Sequence, residues 1–262
     1  MPPEELALIN KYSRKELKSG EVYTFSVVLC DNDIGRDNEH FSDEALDKLA
    51  ELYVGVTGIY GHDPMTTNQV ARIYDCTAEY VDGKTTAYGA PYKRVVAKAY
   101  IPVCKSSEEL IAMLDSGIRK EVSVGCGIGK CECSVCGKNM RVGACRHVKG
   151  KRYSGKLCCG VLKEPTDAYE WSFIAVPSQK SAGVIKSFIT LKPCPFCGGE
   201  AEIRHGGRGN VSKPITSFIA CKSCGARTDQ VEVDAEYSSD EKAAKAWNSR
   251  AQAQQTITDN YR

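Results

Sequence analysis

Four cysteines, Cys194, Cys197, Cys221 and Cys224, fall as two Cys-x2-Cys pairs with 23 residues between them. Each pair offers two thiolates to one ion, and four thiolates suit tetrahedral Zn²⁺, which they hold without redox chemistry. Gly198-Gly199 and Gly225 follow the pairs, where the backbone must turn tightly with its N–H groups toward sulfur. Four unrelated buried thiols would not repeat this pattern. A second concentration lies upstream. Cys133-x2-Cys136, eight residues, then Cys145-x-His147 supply three sulfurs and an imidazole, a reasonable Cys3His zinc site. Cys126, Cys131, Cys158 and Cys159 stand nearby as alternative ligands. Two groups of four ligands can be drawn without sharing, so two structural zinc ions per chain are expected.

Composition agrees with metal rather than disulfides. The chain has 262 residues and 14 Cys, and its N-terminus carries charges throughout instead of a signal-peptide core. The apolar fraction of 42% and charged fraction of 26% are those of a globular protein. Lys plus Arg total 35 against 33 Asp plus Glu, a net charge of +2, so the whole molecule is not a polycation built to coat nucleic acid. No apolar run reaches the ~18 residues of a membrane span, and a soluble, cytosolic protein is expected. Charge is uneven, however. Residues 126–163 hold nine Lys/Arg and one acidic residue, Glu132. A solvated face beside an anionic zinc–thiolate centre accounts for this, and a weak contact with nucleic acid or acidic protein is the alternative.

The chain has no HExxH, P-loop or GxSxG elbow. What remains is a histidine and a serine. His62 lies in YGHDP and Ser123 in EVSVG. With the two-residue period of a strand, Ser123 points away from Val122 and Val124, leaving its hydroxyl free. These residues need elements to place them. EVYTFSVVLC (21–30) reads as a strand, and 41–53 as a helix capped by Ser42, with Leu46, Leu49, Ala50 and Tyr53 on one face. Strands are expected at 69–75, 78–82 and 94–103 with an Asp82-Gly83 turn, and a helix at 107–116 with a Ser106/Glu109 capping box and Gly117 as its stop. EVSVG (121–125) and YEWSFIAV (169–176) complete the strands. Helices do not alternate with strands, so the expected fold is α+β: a mixed or antiparallel β-barrel or sandwich with flanking helices.

The stretches NDIGRDNEHFSDEAL, GHDPMTTNQVARI, SGIRKEVSVGCG and YEWSFIAVPSQKSAGV resemble, in order and context, the HK97-like phage prohead maturation proteases, related in fold to herpesvirus assemblin. The resemblance covers about residues 20–187. It implies a barrel-like protease domain over 1–187 interrupted by a zinc-binding insertion at 126–163, with Ser123 as nucleophile, His62 as base and Glu170 as the third member. It implies a serine endopeptidase of procapsid maturation, acting on phage capsid and scaffold proteins in the host cytoplasm or procapsid interior, and leaves homo-oligomerisation open. An inactive structural relative is the alternative.

LKPCPFCGGEAEI, CKSCGA and AAKAWNSR resemble the zinc ribbon of Lar-type restriction alleviation proteins. This second resemblance covers about residues 190–252 and implies a small zinc-ribbon domain, which the boundary near residue 188 sets at 188–252. Ser238 and Glu241 are expected to cap its last helix and Trp247 to pack on the ribbon, and the polar tail at 253–262 is expected to fray. It also opens another reading, a nucleic-acid or nuclease-binding adaptor.

Overall fold

The computed structural model describes residues 3–185, 191–206, 216–232 and 242–250. The chain divides into two compact units, residues 1–187 and 188–262.

The first unit contains, in chain order, helix α1 (Pro3–Asn10), strands β1 (Val22–Asp31) and β2 (Glu39–Phe41), helix α2 (Asp43–Tyr53), strands β3 (Thr57–Tyr60), β4 (Ala71–Thr85) and β5 (Pro91–Pro102), helix α3 (Glu108–Asp115), and strands β6 (Val122–Cys133), β7 (Arg152–Tyr153), β8 (Lys156–Leu157), β9 (Gly160–Phe173) and β10 (Gly183–Ile185). Eight strands form one mixed sheet in the order β10-β1-β5-β4-β3-β9-β2, with β6 antiparallel along β9. Strands β2 and β3 run parallel to β9, and the remaining pairs are antiparallel. The sheet is not the closed barrel expected. Strand β10 has three residues and meets the chain ahead of β6 at one isolated bridge, Glu121 to Gly183, which is too short a contact to continue the ladder.

Alternation sets the core. Val95, Ala97, Ala99 and Ile101 of β5, Val27 and Leu29 of β1, and Trp171 and Phe173 of β9 point inward at the strand period of two. Leu46, Leu49 and Tyr53 of α2 and Leu110 and Leu114 of α3 pack against them. Ser42 caps α2, its hydroxyl accepting from the Ala45 N–H at 3.2 Å.

Two local expectations are corrected. The Ser106/Glu109 capping box does not form. Ser107 occupies the cap position, and its hydroxyl turns back to donate to the Pro102 carbonyl at 2.6 Å. Asp82-Gly83 is not the hairpin turn. Strand β4 runs through it to Thr85, and the chain reverses between Thr86 and Ala90, whose N–H and carbonyl pair at 2.8 Å. Gly83 instead takes its left-handed backbone inside a register shift between Tyr80 and Thr85.

The second unit contains strands β11 (Ala201–Gly206), β12 (Thr216–Cys221) and β13 (Val231–Glu232) as an antiparallel sheet, and residues 242–250 are helical. Trp247 is buried against Ile219, Cys194 and Cys221, and its indole N–H donates to the Lys192 carbonyl at 2.8 Å. It therefore packs on the ribbon as its sequence context predicts. Ser238, Glu241 and the 253–262 tail lie outside the described residues.

Candidate active site and metal centres

A tight turn delivers His62. After β3, Gly61 and His62 both have positive φ (59° and 58°), and the Asp63 N–H closes onto the Tyr60 carbonyl at 3.0 Å. Two successive left-handed residues are the pattern of a type I′ turn. A non-glycine residue there carries backbone strain. It is held by the Gly61 N–H on the Phe173 carbonyl at 3.1 Å and the His62 N–H on Ser172 Oγ at 3.0 Å.

The ring of His62 is fixed by Glu170. Nδ1 lies 2.7 Å from Glu170 Oε1, and the Ser172 hydroxyl donates to Glu170 Oε2 at 2.5 Å. The carboxylate thus holds both the imidazole and the serine that grips the same histidine's backbone. The Glu170 side chain is 14% exposed and that of His62 43%, so the carboxylate is sheltered while the ring reaches solvent.

Ser123 stands on the neighbouring strand. It pairs with Ser172, and Gly125 pairs with Glu170. Directly opposed residues of an antiparallel pair share a face, with Cβ atoms about 4.5–5.5 Å apart. Ser123, Ser172, Gly125 and Glu170 therefore occupy one patch, and His62 leans onto it. The register puts Val122 and Val124 opposite Phe173 and Trp171 on the other face, as the alternation of EVSVG predicts. Among the described residues no hydrogen bond joins Ser123 Oγ to the His62 ring. Because Glu170 engages Nδ1, Nε2 is the nitrogen free to take up such a proton.

Two contributors escape the sequence reading. Ser172 is fully buried and links His62 to Glu170. Gly125 makes room: a Cβ there would fall on Glu170 Oε1 and lie 3.0 Å from its carboxyl carbon. The glycine two residues after a strand serine was the available signal.

The middle cysteine cluster assembles as expected. The ligand atoms of Cys133, Cys136, Cys145 and His147 all lie within 4.8 Å of one another. Cys136 and Cys145 sulfurs are 3.5 Å apart, and His147 Nδ1 lies 3.4 Å from Cys145 Sγ and 3.6 Å from Cys133 Sγ. Thiolates ~2.3 Å from a tetrahedral ion stand about 3.8 Å apart, and a thiolate–imidazole edge is about 3.6 Å, so the donor set fits Zn²⁺. Burial pushes the Cys133 thiol up, but the N–H groups of Cys136 and Val135 and the thiols of Cys145 and Cys136 outweigh it, leaving Cys133 lowered to about 6. A thiolate is thus available for metal at neutral pH.

Three of the four alternative ligands separate from the cluster. Cys131 belongs to the hydrophobic core, Cys126 is half-buried against it, and Cys159 is buried with its N–H on Ser134 Oγ at 2.9 Å. Cys158 Sγ approaches Cys133 Sγ at 3.8 Å. Strand β6 runs to Cys133 and β9 begins at Gly160, so the lobe between the two strands is 134–159.

In the second unit Cys194, Cys197, Cys221 and Cys224 form the other four-ligand cluster. Sulfurs from opposite knuckles lie 3.6 Å (Cys194–Cys224) and 3.5 Å (Cys197–Cys221) apart. The Cys224 N–H leads the interactions that hold Cys221 down to about 6. All three Cys-x2-Cys knuckles share one turn: Gly137, Gly198 and Gly225 have φ of 72°, 70° and 73°, and each donates its N–H to the carbonyl of the knuckle's first cysteine. The chain is thus a mixed α+β protein, mostly sheet, with two clusters suited to zinc.

A family model described as restriction alleviation protein Lar matches residues 189–251. No curated protein and no solved structure matches the chain. Among the described residues no helix is long and apolar enough to cross a membrane.

Proposed function

We propose that the second unit is an adaptor of the restriction-alleviation kind that docks on nucleic acid or on a nuclease. The match of residues 189–251 carries this reading, and the four-thiolate cluster supports it. Zinc supplies the folding energy of such a module, while recognition comes from the surface it holds rigid. Retention on immobilised DNA across a salt series, together with inhibition of a restriction nuclease, tests the reading for the intact protein and for Cys221→Ser. Salt-sensitive retention or nuclease inhibition that Cys221→Ser abolishes is expected. Loss of neither activity in the variant would remove the ribbon from the function.

A second reading concerns the first unit, and the 2.7 Å contact of His62 with Glu170 beside Ser123 supports it. In this reading the unit is a serine endopeptidase of phage procapsid maturation, cleaving scaffold and capsid proteins. His62 Nε2 takes the proton as Ser123 Oγ attacks the scissile carbonyl, then returns it to the leaving amine. Glu170 keeps the other ring proton on Nδ1 and stabilises the imidazolium that forms. Water then releases the acyl group by the same proton route. Co-expression with the neighbouring capsid and scaffold proteins, followed by mass spectrometry of the products, tests it. Processing by wild type and by Ser123→Ala alike would leave a structural relative of the protease as the reading of this unit.

A further inference from the structure

A cavity of about 320 Å³ opens beside Ser123, which is one of its lining residues. Its polar wall comes from two loops tied together. The Arg36 N–H donates to the Ser178 carbonyl at 2.9 Å, and the Ser178 hydroxyl donates to Asp37 Oδ2 at 2.5 Å. The approach is close enough to require Gly35, whose added Cβ would stand 2.9 Å from the Ser178 carbonyl oxygen. Behind this wall Gln179 is only 7% exposed, and its Oε1 has no hydrogen-bond partner. Buried acceptors are rarely left unpaired, so this one calls for a donor, which a ligand reaching the wall would supply.

Charge narrows the ligand. Asp37 and Glu39 line the cavity, and Glu39 is already paired with Lys149 at 2.7 Å. Arg141 lines it as well, donating one guanidinium N–H to the Ile128 carbonyl. With Glu39 engaged by Lys149, Asp37 and Arg141 offset one another, so the lining carries little net charge and gives neither an ammonium nor a carboxylate a net partner. A carboxamide carries donors and an acceptor without charge, and its methylene stem suits the apolar part of the lining, Leu29 and Phe41.

We propose that this cavity is the subsite for a Gln or Asn side chain next to the scissile bond. The proposal rests on the endopeptidase reading of Ser123. The test uses the full-length protein, a fluorophosphonate probe for the nucleophile, and an unbiased peptide library whose cleavage sites are read by mass spectrometry. Labelling at Ser123 is expected, with cleavage sites carrying Gln or Asn at one fixed position. In matched fluorogenic peptides kcat/KM for Gln should exceed that for Glu or Lys by about 10-fold or more, because a site built to pair polar groups rejects the wrong charge. Gln179→Met should lower the Gln-over-Leu ratio by about 10-fold. Asp37→Asn, which keeps an oxygen to accept the Ser178 hydroxyl, should lower the Gln-over-Glu ratio. Labelled Ser123 with cleavage indifferent to Gln and Asn would overturn the subsite and leave the endopeptidase reading standing. Absence of both labelling and cleavage would overturn the two together.

Discussion

Replacing Gly125 by alanine isolates the packing that seats Glu170. The backbone at Gly125 is not left-handed, so the requirement for glycine there is one of space alone. A Cβ would fall on Glu170 Oε1 and stand 3.0 Å and 3.4 Å from the next two carbons of that side chain. Ordinary carbon contacts lie at about 3.5–4.0 Å, so the carboxylate must leave or the β6–β9 pair must spread. Forcing a methyl into a filled site costs roughly 1–3 kcal/mol. For a unit of this size that is a fall of about 2–12 °C in the melting midpoint. If the carboxylate leaves, its 2.7 Å contact with His62 Nδ1 is lost. The ¹⁵N spectrum of the His62 ring reads this directly: wild type should hold the proton on Nδ1, and Gly125→Ala should show mixed tautomers. The decisive control is Glu170→Ala, which removes the obstructing side chain. In that background Gly125→Ala should cost little, giving a coupling of about 1 kcal/mol or more between the two sites. An equal cost in both backgrounds would refute the steric account.

Further outcomes follow from the same geometry. Metal analysis of protein purified without chelator should give two zinc ions per chain, and Cys133→Ser and Cys221→Ser should each remove one. Cys221→Ser should loosen residues 191–250 in hydrogen exchange while leaving the first unit protected, since a structural zinc stabilises mainly its own module. Ser123→Ala and His62→Ala should each abolish processing with the fold intact, and the double variant should be no worse than either single one. Glu170→Gln should be milder, measured as product formed per unit time. His40 is buried, and burial pulls its pKa below the ordinary 6.5 despite nearby Asp33, Asp43 and Asp31. The folded state then favours the neutral ring, so its contribution is complete above pH 6.5 and is lost as pH falls from there toward the folded value. The slope is at most about 1.4 kcal/mol per pH unit. Denaturant melts of wild type and His40→Gln at pH 7.5 and 5.5 should show the smaller pH effect in the variant.

Spacing made the ligands legible. The Cys-x2-Cys knuckle is local, and its fifth-position glycine reports the turn directly, as Gly198 and Gly225 do and as Gly137 does in the middle cluster. The face of Ser123 was also legible, because two flanking valines fix it in any strand. Sheet closure was not. It depends on how far β10 runs beside β6, a long-range pairing that no local pattern encodes. Ser172 was hidden because its role depends on two registers: it opposes Ser123 only when β6 and β9 align, and it receives the His62 N–H only when β3 and β9 align. The Asp82-Gly83 dipeptide misled because a register shift inside a long strand uses the same left-handed glycine as a hairpin turn.

Register links the middle four-ligand cluster to the patch around Ser123. Strands β6 and β9 form one long antiparallel pair, from Val122 opposite Phe173 to Cys133 opposite Gly160. Cys133 ends β6, and the other three ligands lie in the lobe that joins the two strands. An open lobe of this length adds loop-closure entropy and leaves the distant end of the pair weakly specified. A metal gathering Cys133 with Cys136, Cys145 and His147 shortens that loop and pins the pair at its far end. The pairing already shifts at Gly125/Cys126 and Gly127/Ile128, so the ladder is interrupted between the metal and Ser123. Since one residue of slip sends every side chain to the opposite face, Ser123 opposite Ser172 and Gly125 opposite Glu170 depend on a fixed register. Chelation should therefore raise hydrogen exchange first at residues 128–133 and 160–165, and the His62 tautomer should scramble only once exchange passes Gly125. Scrambling that precedes exchange at the metal end would sever zinc from the candidate catalytic patch.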